Sequence, residues 1–272
     1  MASASGRQAV AASGHRRWPG GGGGFGDKLG SRVLPEWMTV SDDPTRHSLG
    51  AEPLLGDYAV DEEGVPARAH LVVDAGYLKT LLTTRVPVEG VERSTGNARG
   101  GGAAPSNLIV RVDSGLSDAA LRRRLLALVQ RRKLPYGIIV RELDASRMSA
   151  MMQAIESGDM ESLSGQGAGA ALTAAYRIYP DGHEERIRGA RLTNMTSESF
   201  RDIIAASATT TVLHQGGVGG GMFAMMPMQM MGMSGAPAPV SYVVPSLLFE
   251  DVTLTKPSGA RPKPPLSDPP PM

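Results

Sequence analysis

The sequence predicts an α+β fold with a large, mostly antiparallel β-sheet, barrel-like in form, and a few packed helices. Two observations lead to this prediction. Runs of β-branched and apolar residues recur through the middle of the chain and are joined by short turn sequences. Only two segments, by contrast, show a strong helical repeat of apolar residues. Long stretches of strand with few interspersed helices are typical of the α+β class.

Two hairpins are predicted from their turn residues. Pro180, Asp181 and Gly182 place proline where a fixed negative φ is needed and glycine where a positive φ is allowed. The triplet 74–76, Asp-Ala-Gly, also offers glycine at a left-handed position. Hairpins imply antiparallel pairing. The predicted strands are 37–41, 68–74, 77–83, 108–112, 137–143, 174–179, 184–192 and 242–254.

Helical periodicity is strong in two segments and weaker in a third. In the first segment, Ser117 or Asp118 is suited to cap the N-terminus, and leucines recur on one face. In the second segment, a helix would bury Phe200, Ile203 and Ile204. The weaker segment has methionines on one side. The predicted helices are 116–133, 197–206 and, more weakly, 146–156.

Composition divides the chain into a disordered leader (1–24), a folded body (25–255) and a proline-rich tail (256–272) that is expected to be disordered and partly polyproline-like. Within the body, 215–239 is a Gly- and Met-rich insertion, and seven of the fifteen methionines fall in 222–233. Thioether clusters suit soft metals such as Cu(I). A loosely packed, low-complexity insertion is nevertheless the favoured interpretation.

Charge and composition exclude several classes of protein. The 272 residues carry a net charge of +1 and only 4% aromatic residues, which argues against nucleic-acid and membrane-surface partners. The arginines of the predicted helix 116–133 are interpreted as a solvated face. No apolar run is long enough for a transmembrane helix. The lack of cysteine excludes intrachain disulfides and thiolate metal ligands and is compatible with a cytoplasmic protein.

The five histidines do not form a recognisable metal motif. Zinc sites need three or four convergent ligands, and neither HExxH nor HExxxH occurs in the chain. Two glutamates follow His183, but neighbouring side chains of a strand point to opposite faces. His15 and His214 are considered as isolated ligands and are not favoured. The sequence therefore predicts no metal ligand and no catalytic residue in this chain.

Three polar loop segments require an interpretation. Carboxylates at 42–43 and 61–63 precede Pro44 and Gly64. Because Asp readily bonds its own backbone in turns, these residues are favoured as turn formers over acid–base groups or hard-cation ligands. The third segment, STGNARG at 94–100, is not favoured as a phosphate loop, because an extended stretch rather than a helix follows it.

An ordered set of short motifs carries a family resemblance. The motifs are DDP (42–44), DEEG (61–64), STGNARG (94–100), PSNL (105–108), RIRGARLTN (186–194) and VPSLLFEDV (244–252). Together they resemble the C-terminal half of the TldD/PmbA family, whose members are implicated in zinc-dependent proteolysis. The resemblance covers roughly residues 25–254.

The resemblance implies a function and a site. The chain is expected to be the C-terminal domain of a cytoplasmic metallopeptidase that acts on unfolded peptides. It would form a homo- or heterodimer with a TldD/PmbA-family subunit around an interior cavity. The substrate-cleft candidates in the matching segment are Thr95, Gly96, Asn97 and Arg99. The complete family enzyme is expected to hold zinc through an HExxxH motif upstream of this region.

The absence of HExxxH from this chain leaves two main functional hypotheses. In the first, the chain supplies cavity wall and dimer surface, and it is inactive as a peptidase by itself. In the alternative, it is a non-catalytic partner subunit of a heterodimer, with which the lack of cysteine agrees. Coding sequence upstream of Met1 would discriminate a fragment from a metal-free family member. A methionine-rich metal chaperone is a third idea that rests only on 222–233.

Overall fold

The computed structural model describes most of the chain between its two ends, namely residues 25–144, 170–193, 195, 197–215 and 238–256. The predicted helix at 146–156 lies outside the described residues, as do the leader, nearly all of the proline-rich tail and the methionines of 222–233. The division of the chain into leader, body and tail therefore stays a prediction.

The chain forms two compact units. The first combines Met1–Leu134 with Met195–Asp251, and the second combines Pro135–Asn194 with Val252–Met272. The strands of the described residues are β1 (Met38–Asp42), β2 (Ser48–Leu49), β3 (Glu52–Pro53), β4 (His70–Asp74), β5 (Tyr77–Leu78), β6 (Ala98–Arg99), β7 (Gly102–Ala103), β8 (Asn107–Val112), β9 (Gly137–Asp144), β10 (Ala170–Ile178), β11 (Glu184–Ile187), β12 (Arg191–Thr193), β13 (Ile203–Gln215), β14 (Val240–Phe249) and β15 (Thr253–Thr255).

The first unit is built on a six-stranded sheet with the order β13-β14-β8-β1-β4-β5. Its neighbouring strands are antiparallel except for β14 and β8, which are parallel, so the sheet is mixed. Across the described residues β13 and β5 are the outer strands, and the sheet does not close on itself. The strand-rich α+β prediction is confirmed in this form, whereas the barrel-like closure is not found there.

Apolar side chains of this sheet are buried in two clusters. Strand β1 alternates buried and half-buried residues, so Met38, Val40 and Asp42 point into the same interior. A smaller cluster of Leu54, Ile109 and Val243 is also buried. The main cluster consists of Val33, Leu34, Met38, Val40, Val72, Val73, Leu78, Leu81, Leu82, Leu108 and Ile203. The alternation of β1 thus carries a carboxyl group, that of Asp42, into the interior.

The helix predicted at 116–133 is confirmed as α1 (Asp118–Arg131). Ser117 is the N-cap, and its side chain accepts a hydrogen bond of 3.3 Å from the backbone N–H of Ala120. Leu128 and Val129 are buried, as the apolar face predicts. No helix among the described residues has both the length and the apolar character to cross a membrane.

The second unit contains a five-stranded sheet. Strand β10 pairs with β9 on one side and with β11 and β12 on the other, and β15 pairs with β12. The predicted turn at 180–182 joins β10 to β11, with Gly182 at a φ of +91°. Every pair in this sheet is antiparallel, as hairpin connections require.

The turn between β4 and β5 contains a glycine at which any side chain would be strained. Gly76 has a φ of +81°, and a Cβ atom there would lie 2.4 Å from the carbonyl oxygen of Leu34. Its own carbonyl accepts hydrogen bonds from the backbone N–H groups of Val33 and Leu34. The hairpin that the triplet 74–76 predicts is therefore confirmed, and its turn also anchors the preceding loop.

The prediction of a helix at 197–206 is wrong. A short 3₁₀ helix, Ser199–Asp202, leads directly into the long strand β13, which pairs with β14 along most of its length. Ile203 is buried as expected, but it is buried as a strand residue. Threonine and valine recur in the remainder of β13, and β-branched side chains fit the pleated surface that β14 offers.

Three predicted strands are shorter than expected or are divided. Of 77–83 only β5 is a strand, although Leu81 and Leu82 are buried. The segment 184–192 divides into β11 and β12 around Gly189, which has a φ of +64°. The segment 242–254 divides into β14 and β15, and these two strands belong to different sheets. The remaining predicted strands coincide with β1, β4, β8, β9 and β10 to within a few residues.

Candidate functional site

Three of the sequence motifs, DDP, STGNARG and PSNL, meet around the carboxyl group of Asp42, which is fully buried at the end of β1. Its Oδ1 accepts a hydrogen bond of 2.7 Å from the backbone N–H of Ser106, in the PSNL motif. Its Oδ2 accepts one of 2.8 Å from Nδ2 of Asn97, in the STGNARG motif. The pairing of β1 with β8 brings PSNL to this point, because Asp42 lies opposite Leu108.

Asn97 connects the loop that contains it to two further segments. Its Nδ2 also donates to the carbonyl of Ala104 at 3.2 Å, and its backbone N–H donates to the carbonyl of Thr83 at 3.3 Å. The side chain is fully buried. Within the described ranges its Oδ1 has no hydrogen-bond partner. Asn97 therefore acts as a bridge between Asp42 and the 97–104 turn.

Thr95 and Gly96, which precede Asn97, are also fixed by hydrogen bonds. Thr95 Oγ1 accepts a hydrogen bond of 2.7 Å from the N–H of Thr83, and Thr83 Oγ1 accepts one of 3.1 Å from the N–H of Thr95. His70 donates from Nε2 to the Thr95 carbonyl at 2.7 Å. The Gly96 carbonyl accepts a hydrogen bond of 2.6 Å from the hydroxyl of Tyr58. Backbone and side chain of this turn are thus fixed from three directions.

Arg99 ties the same segment to the start of β14. Its two terminal nitrogens donate hydrogen bonds of 2.8 Å to the carbonyls of Pro105 and Pro239. The guanidinium carbon lies 4.6 Å from the centroid of the Tyr58 ring, which is the distance of a cation–π contact. The residue is only 8% exposed. A planar group with several donors suits two divergent carbonyls better than a lysine ammonium would.

The DEEG motif closes the other side of the STGNARG segment. Asp61 Oδ1 accepts hydrogen bonds from the N–H groups of Glu63 and Val65, at 2.9 and 2.8 Å, and Oδ2 accepts one of 3.0 Å from the N–H of Ala98. Glu62 accepts one of 2.7 Å from the N–H of Gly100. These carboxylates bind backbone donors in turns, as the interpretation of the motif as a turn former predicts.

Asn107 is a buried residue that sequence reasoning did not single out. Its Oδ1 accepts a hydrogen bond of 3.0 Å from the N–H of Gly56, and its Nδ2 donates to the carbonyls of Asp43 and Arg46 at 3.1 and 2.7 Å. The signal available in the sequence was a polar Ser-Asn pair directly before the apolar run of β8. Polar residues at a buried strand end need partners, which here are loop backbones.

Burial is the main cause of the pKa shifts among the residues around Asp42. It raises the pKa of Asp42, although the hydrogen bonds from the Ser106 backbone and from Asn97 act in the opposite direction. It also raises the pKa of the Tyr58 hydroxyl, with a further contribution from the charge of Asp42. The pKa of Arg99 is lowered, again chiefly by burial. Tyr58 is therefore a neutral donor to Gly96 at physiological pH.

All four substrate-cleft candidates from the sequence lie in this one network, which we call the Asp42 cluster: Asp42, Tyr58, Asp61, Thr95, Gly96, Asn97, Arg99, Ser106 and Asn107. The side chains of Thr95, Asn97 and Arg99 are buried and form hydrogen bonds within the chain. The cluster therefore holds several loops in a fixed arrangement. A contact of these residues with substrate stays a prediction.

Three of the described histidines each have a polar partner of their own. His47 contacts Asp57 at 2.8 Å, and His183 contacts Asp181 at 2.6 Å. His214 contacts the Ser241 hydroxyl at 3.0 Å. No group of three His, Asp or Glu residues in the described part of the chain is placed to hold a metal ion. These residues therefore do not fit a zinc site.

Comparisons with known proteins place the motifs in a family context. The family described as PmbA/TldA metallopeptidase C-terminal domain matches residues 19–256. Metalloprotease MJ0996 of Methanocaldococcus jannaschii is 39% identical over 79 residues, which are 29% of this chain and 16% of that protein. A metalloprotease of Archaeoglobus fulgidus is 35% identical over 75 residues, which are 28% of this chain and 16% of that protein.

A solved structure shares the fold. TldE from Thermococcus kodakarensis matches with a TM-score of 0.54 at 16% identity, over 93% of this chain and 46% of that one. The chain thus spans less than half of this structural neighbour, and its matches span 16% of the two metalloproteases. The family match, however, extends over most of the chain and confirms the TldD/PmbA resemblance. The chain belongs to the PmbA/TldA metallopeptidase C-terminal domain family.

Proposed function

We propose that this chain serves as the C-terminal domain of a TldD/PmbA-type metallopeptidase that acts on unfolded peptides. The observation that carries the proposal is the family match over residues 19–256, together with the convergence of four of its motifs on the Asp42 cluster. A cluster that fixes several loops by buried hydrogen bonds is suited to form a rigid wall around a substrate.

We assign the metal ligands of the peptidase to residues outside the described part of this chain. Among the described residues, no set of three suitable ligands converges. The His, Asp and Glu side chains near the Asp42 cluster bind backbone groups or one another. The proposed role of this chain is therefore to shape and support the site, and to provide a surface for dimerisation with a family subunit. Hydrolysis by this chain alone is not expected.

A second candidate function is that of a non-catalytic partner subunit in a TldD/PmbA-type heterodimer. The observation in its favour is that the whole sequence has neither cysteine nor the HExxxH metal motif that is expected of a complete peptidase subunit. In this case the chain contributes its surface to a subunit that carries the metal. Both functions place this chain in a cytoplasmic peptidase assembly.

The test compares the full chain alone with the chain co-purified with a family subunit that carries HExxxH. Zinc content and hydrolysis of an unstructured peptide are measured for each, with a Glu→Gln variant of the HExxxH motif as the inactive control. We expect neither zinc nor hydrolysis from the chain alone. Stable association that raises hydrolysis by the partner supports the partner-subunit function. Stoichiometric zinc with hydrolysis by the chain alone overturns both candidates.

If the chain associates with no metal-bearing subunit, the partner-subunit function is excluded and the C-terminal-domain function is the one that remains. The C-terminal-domain function is then tested by reading the coding sequence upstream of Met1 in all three frames. An HExxxH-coding stretch there supports the domain function, and its reconstitution with this chain should restore hydrolysis. A region without such a stretch would contradict that function.

A further inference from the structure

Strand β13 has a long edge that no described strand covers. It is an outer strand of the six-stranded sheet and pairs on one side with β14. From 209 to 215 every residue is exposed except Val212, which is half-buried, and Leu213 is 53% exposed. The backbone N–H and C=O groups on the unpaired side of an outer strand can bind another strand. We call residues 209–215 the free edge.

The outer side of β13 already pairs with a segment of its own chain just before the free edge. Leu116 donates a hydrogen bond of 2.9 Å to the carbonyl of Ala206 and accepts one of 2.7 Å from the N–H of Ala208. The contact is close, because a Cβ atom at Gly115 would lie 2.4 Å from Cα of Ala208. The outer side of this strand is therefore suited to β-pairing, and the unpaired part begins after Ala208.

The free edge lacks the features that commonly protect outer strands from pairing. Protected strands carry charged residues or proline, or they are bulged or short. Residues 209–215, TTTVLHQ, contain no lysine, arginine, carboxylate or proline. The bulge of β13 lies before Thr210, and from there to Gln215 the pairing with β14 is regular. The free edge is thus a straight, uncharged template for a further strand.

We propose that the free edge pairs with the free edge of a second copy of this chain, in antiparallel orientation, about a two-fold axis at Val212. The opposed residues of the two copies are Val212 with Val212, Thr211 with Leu213, Thr210 with His214 and Thr209 with Gln215. All seven residues of the free edge are then paired, and the six-stranded sheets of the two copies join into one. This inference rests on the dimer of the proposed function and names the surface that forms it.

The opposed side chains fit this register. A two-fold axis repeats each contact, so Thr211 of each copy meets Leu213 of the other. Side chains opposed in an antiparallel pair have Cβ atoms about 4.5–5.5 Å apart, and β-branched and apolar pairs at that distance stabilise a sheet. The carboxylates that contact the free edge, those of Asp118 and Glu52, lie toward its two ends. The centre of the interface is therefore free of charge.

A second copy suits this edge better than an unstructured peptide does. A peptide that adds as a strand loses backbone entropy for every residue that it orders. The free edge of a second copy is already extended, because β14 holds it from Thr210 to Gln215. Its length also matches, since both copies offer the same seven residues. A preorganised strand of matching length is therefore the favoured occupant.

Sedimentation equilibrium of the full-length chain measures the dissociation constant of the dimer. Thr211→Lys combined with Leu213→Lys places lysine opposite lysine at two positions of the interface. Because like charges directly opposite each other destabilise a sheet, we expect the dissociation constant to rise at least about tenfold. Tyr77→Lys is the matched control, at a tyrosine that is 41% exposed on β5, the other outer strand of the sheet, and should leave the constant unchanged.

An exchange of charge between two variants tests the pairing directly. Thr211→Glu combined with Leu213→Glu should also weaken association of that variant with itself. A mixture of the lysine and glutamate variants should form a dimer again, because each lysine then faces a glutamate. Restored association also shows that both variants are folded. A mixture that stays monomeric overturns the proposal.

Cysteine substitution tests the position of the axis. The chain has no cysteine, so Val212→Cys introduces a single thiol, which the axis places opposite its counterpart. Oxidised glutathione should therefore link the two copies by a disulfide. With Thr210→Cys the two thiols lie roughly 13 Å apart along the strands, which is too far for a disulfide. Equal linking of the two variants overturns the proposed register.

Several results separate this proposal from the proposed function. A chain that is monomeric at every concentration but binds a subunit with HExxxH overturns the dimer of two copies and leaves the proposed function standing. A dimer that forms through the free edge, in an assembly that hydrolyses no peptide, does the reverse. A dissociation constant that responds equally to the lysine pair and to Tyr77→Lys overturns the proposal. So does strand addition by an unstructured peptide, seen as amide shifts of 209–215 in a chain that stays monomeric.

Discussion

Replacing Asn97 by alanine removes the bridge at the centre of the Asp42 cluster. The substitution deletes the hydrogen bond of 2.8 Å to Asp42 and that of 3.2 Å to the Ala104 carbonyl. A hydrogen bond to a charged group contributes about 1.5–3 kcal/mol and a neutral one about 1 kcal/mol. The Asp42 carboxyl stays buried without this donor. We therefore expect Asn97→Ala to lower the free energy of unfolding by about 2.5–4 kcal/mol.

Urea unfolding followed by tryptophan fluorescence measures this change. Trp37 packs against the main core cluster of the first unit, so its emission reports on that unit. Arg93→Ala, at an exposed position four residues earlier, is the matched control and should change the free energy by less than about 0.5 kcal/mol. The free energies can be compared only if the slope of unfolding free energy against urea concentration is the same for both variants.

The result also bears on the predicted substrate contact of Asn97. A loss below about 1 kcal/mol with an unchanged slope would refute the assignment of a stabilising bridge to this side chain. Unchanged stability with weaker binding of an unfolded peptide would point instead to a direct contact with substrate. Unchanged stability and unchanged peptide binding would remove both roles.

Two further predictions concern the same cluster. Gly56→Ala should lower the free energy of unfolding by about 1–3 kcal/mol or more in the same assay, because its Cβ would lie 2.2 Å from the carbonyl oxygen of Ser106. In the control Gly102→Ala the new Cβ meets nothing within 4 Å, so the change should be nearly neutral. Equal effects of the two substitutions would refute this prediction. Burial raises the pKa of Asp42 above 3.8, so its stabilising contribution is complete below that pH and is lost as pH rises through the folded-state pKa. The stability of wild type minus that of Asp42→Asn should therefore fall as the pH rises above the ordinary carboxyl pKa of 3.8, and parallel curves would contradict this.

Local patterns in the sequence predict the elements that local chemistry determines. The capped helix at α1 and the turns at Gly76 and Gly182 depend on residues that are adjacent in the chain, and all three are confirmed. Strand β13 depends on a distant partner. Its first residues have a helical spacing, and pairing with β14 decides between the two structures.

The candidate site was predictable only in part, for a similar reason. The sequence identified the segment of Thr95 to Arg99, and its interpretation of the carboxylates as turn formers is confirmed for Asp61. The same interpretation is wrong for Asp42, which ends a strand and whose carboxyl binds distant residues. Nothing in the sequence indicated that Asn97 would meet Asp42, which is separated from it by 55 residues. Asn107 was missed because its partners are backbone groups of a loop rather than side chains with a recognisable spacing.

The register of β13 and β14 has a consequence for how this chain can vary. Gln215 lies opposite Val240, and Arg99 binds the carbonyl of Pro239, so both ends of the Gly- and Met-rich insertion are fixed side by side. Whatever lies between them is a closed loop, and doubling the length of such a loop changes its closure free energy by only about 0.6 kcal/mol. Peptides of very different length and composition, a reporter tag among them, can therefore be exchanged at this position while the sheet keeps its register.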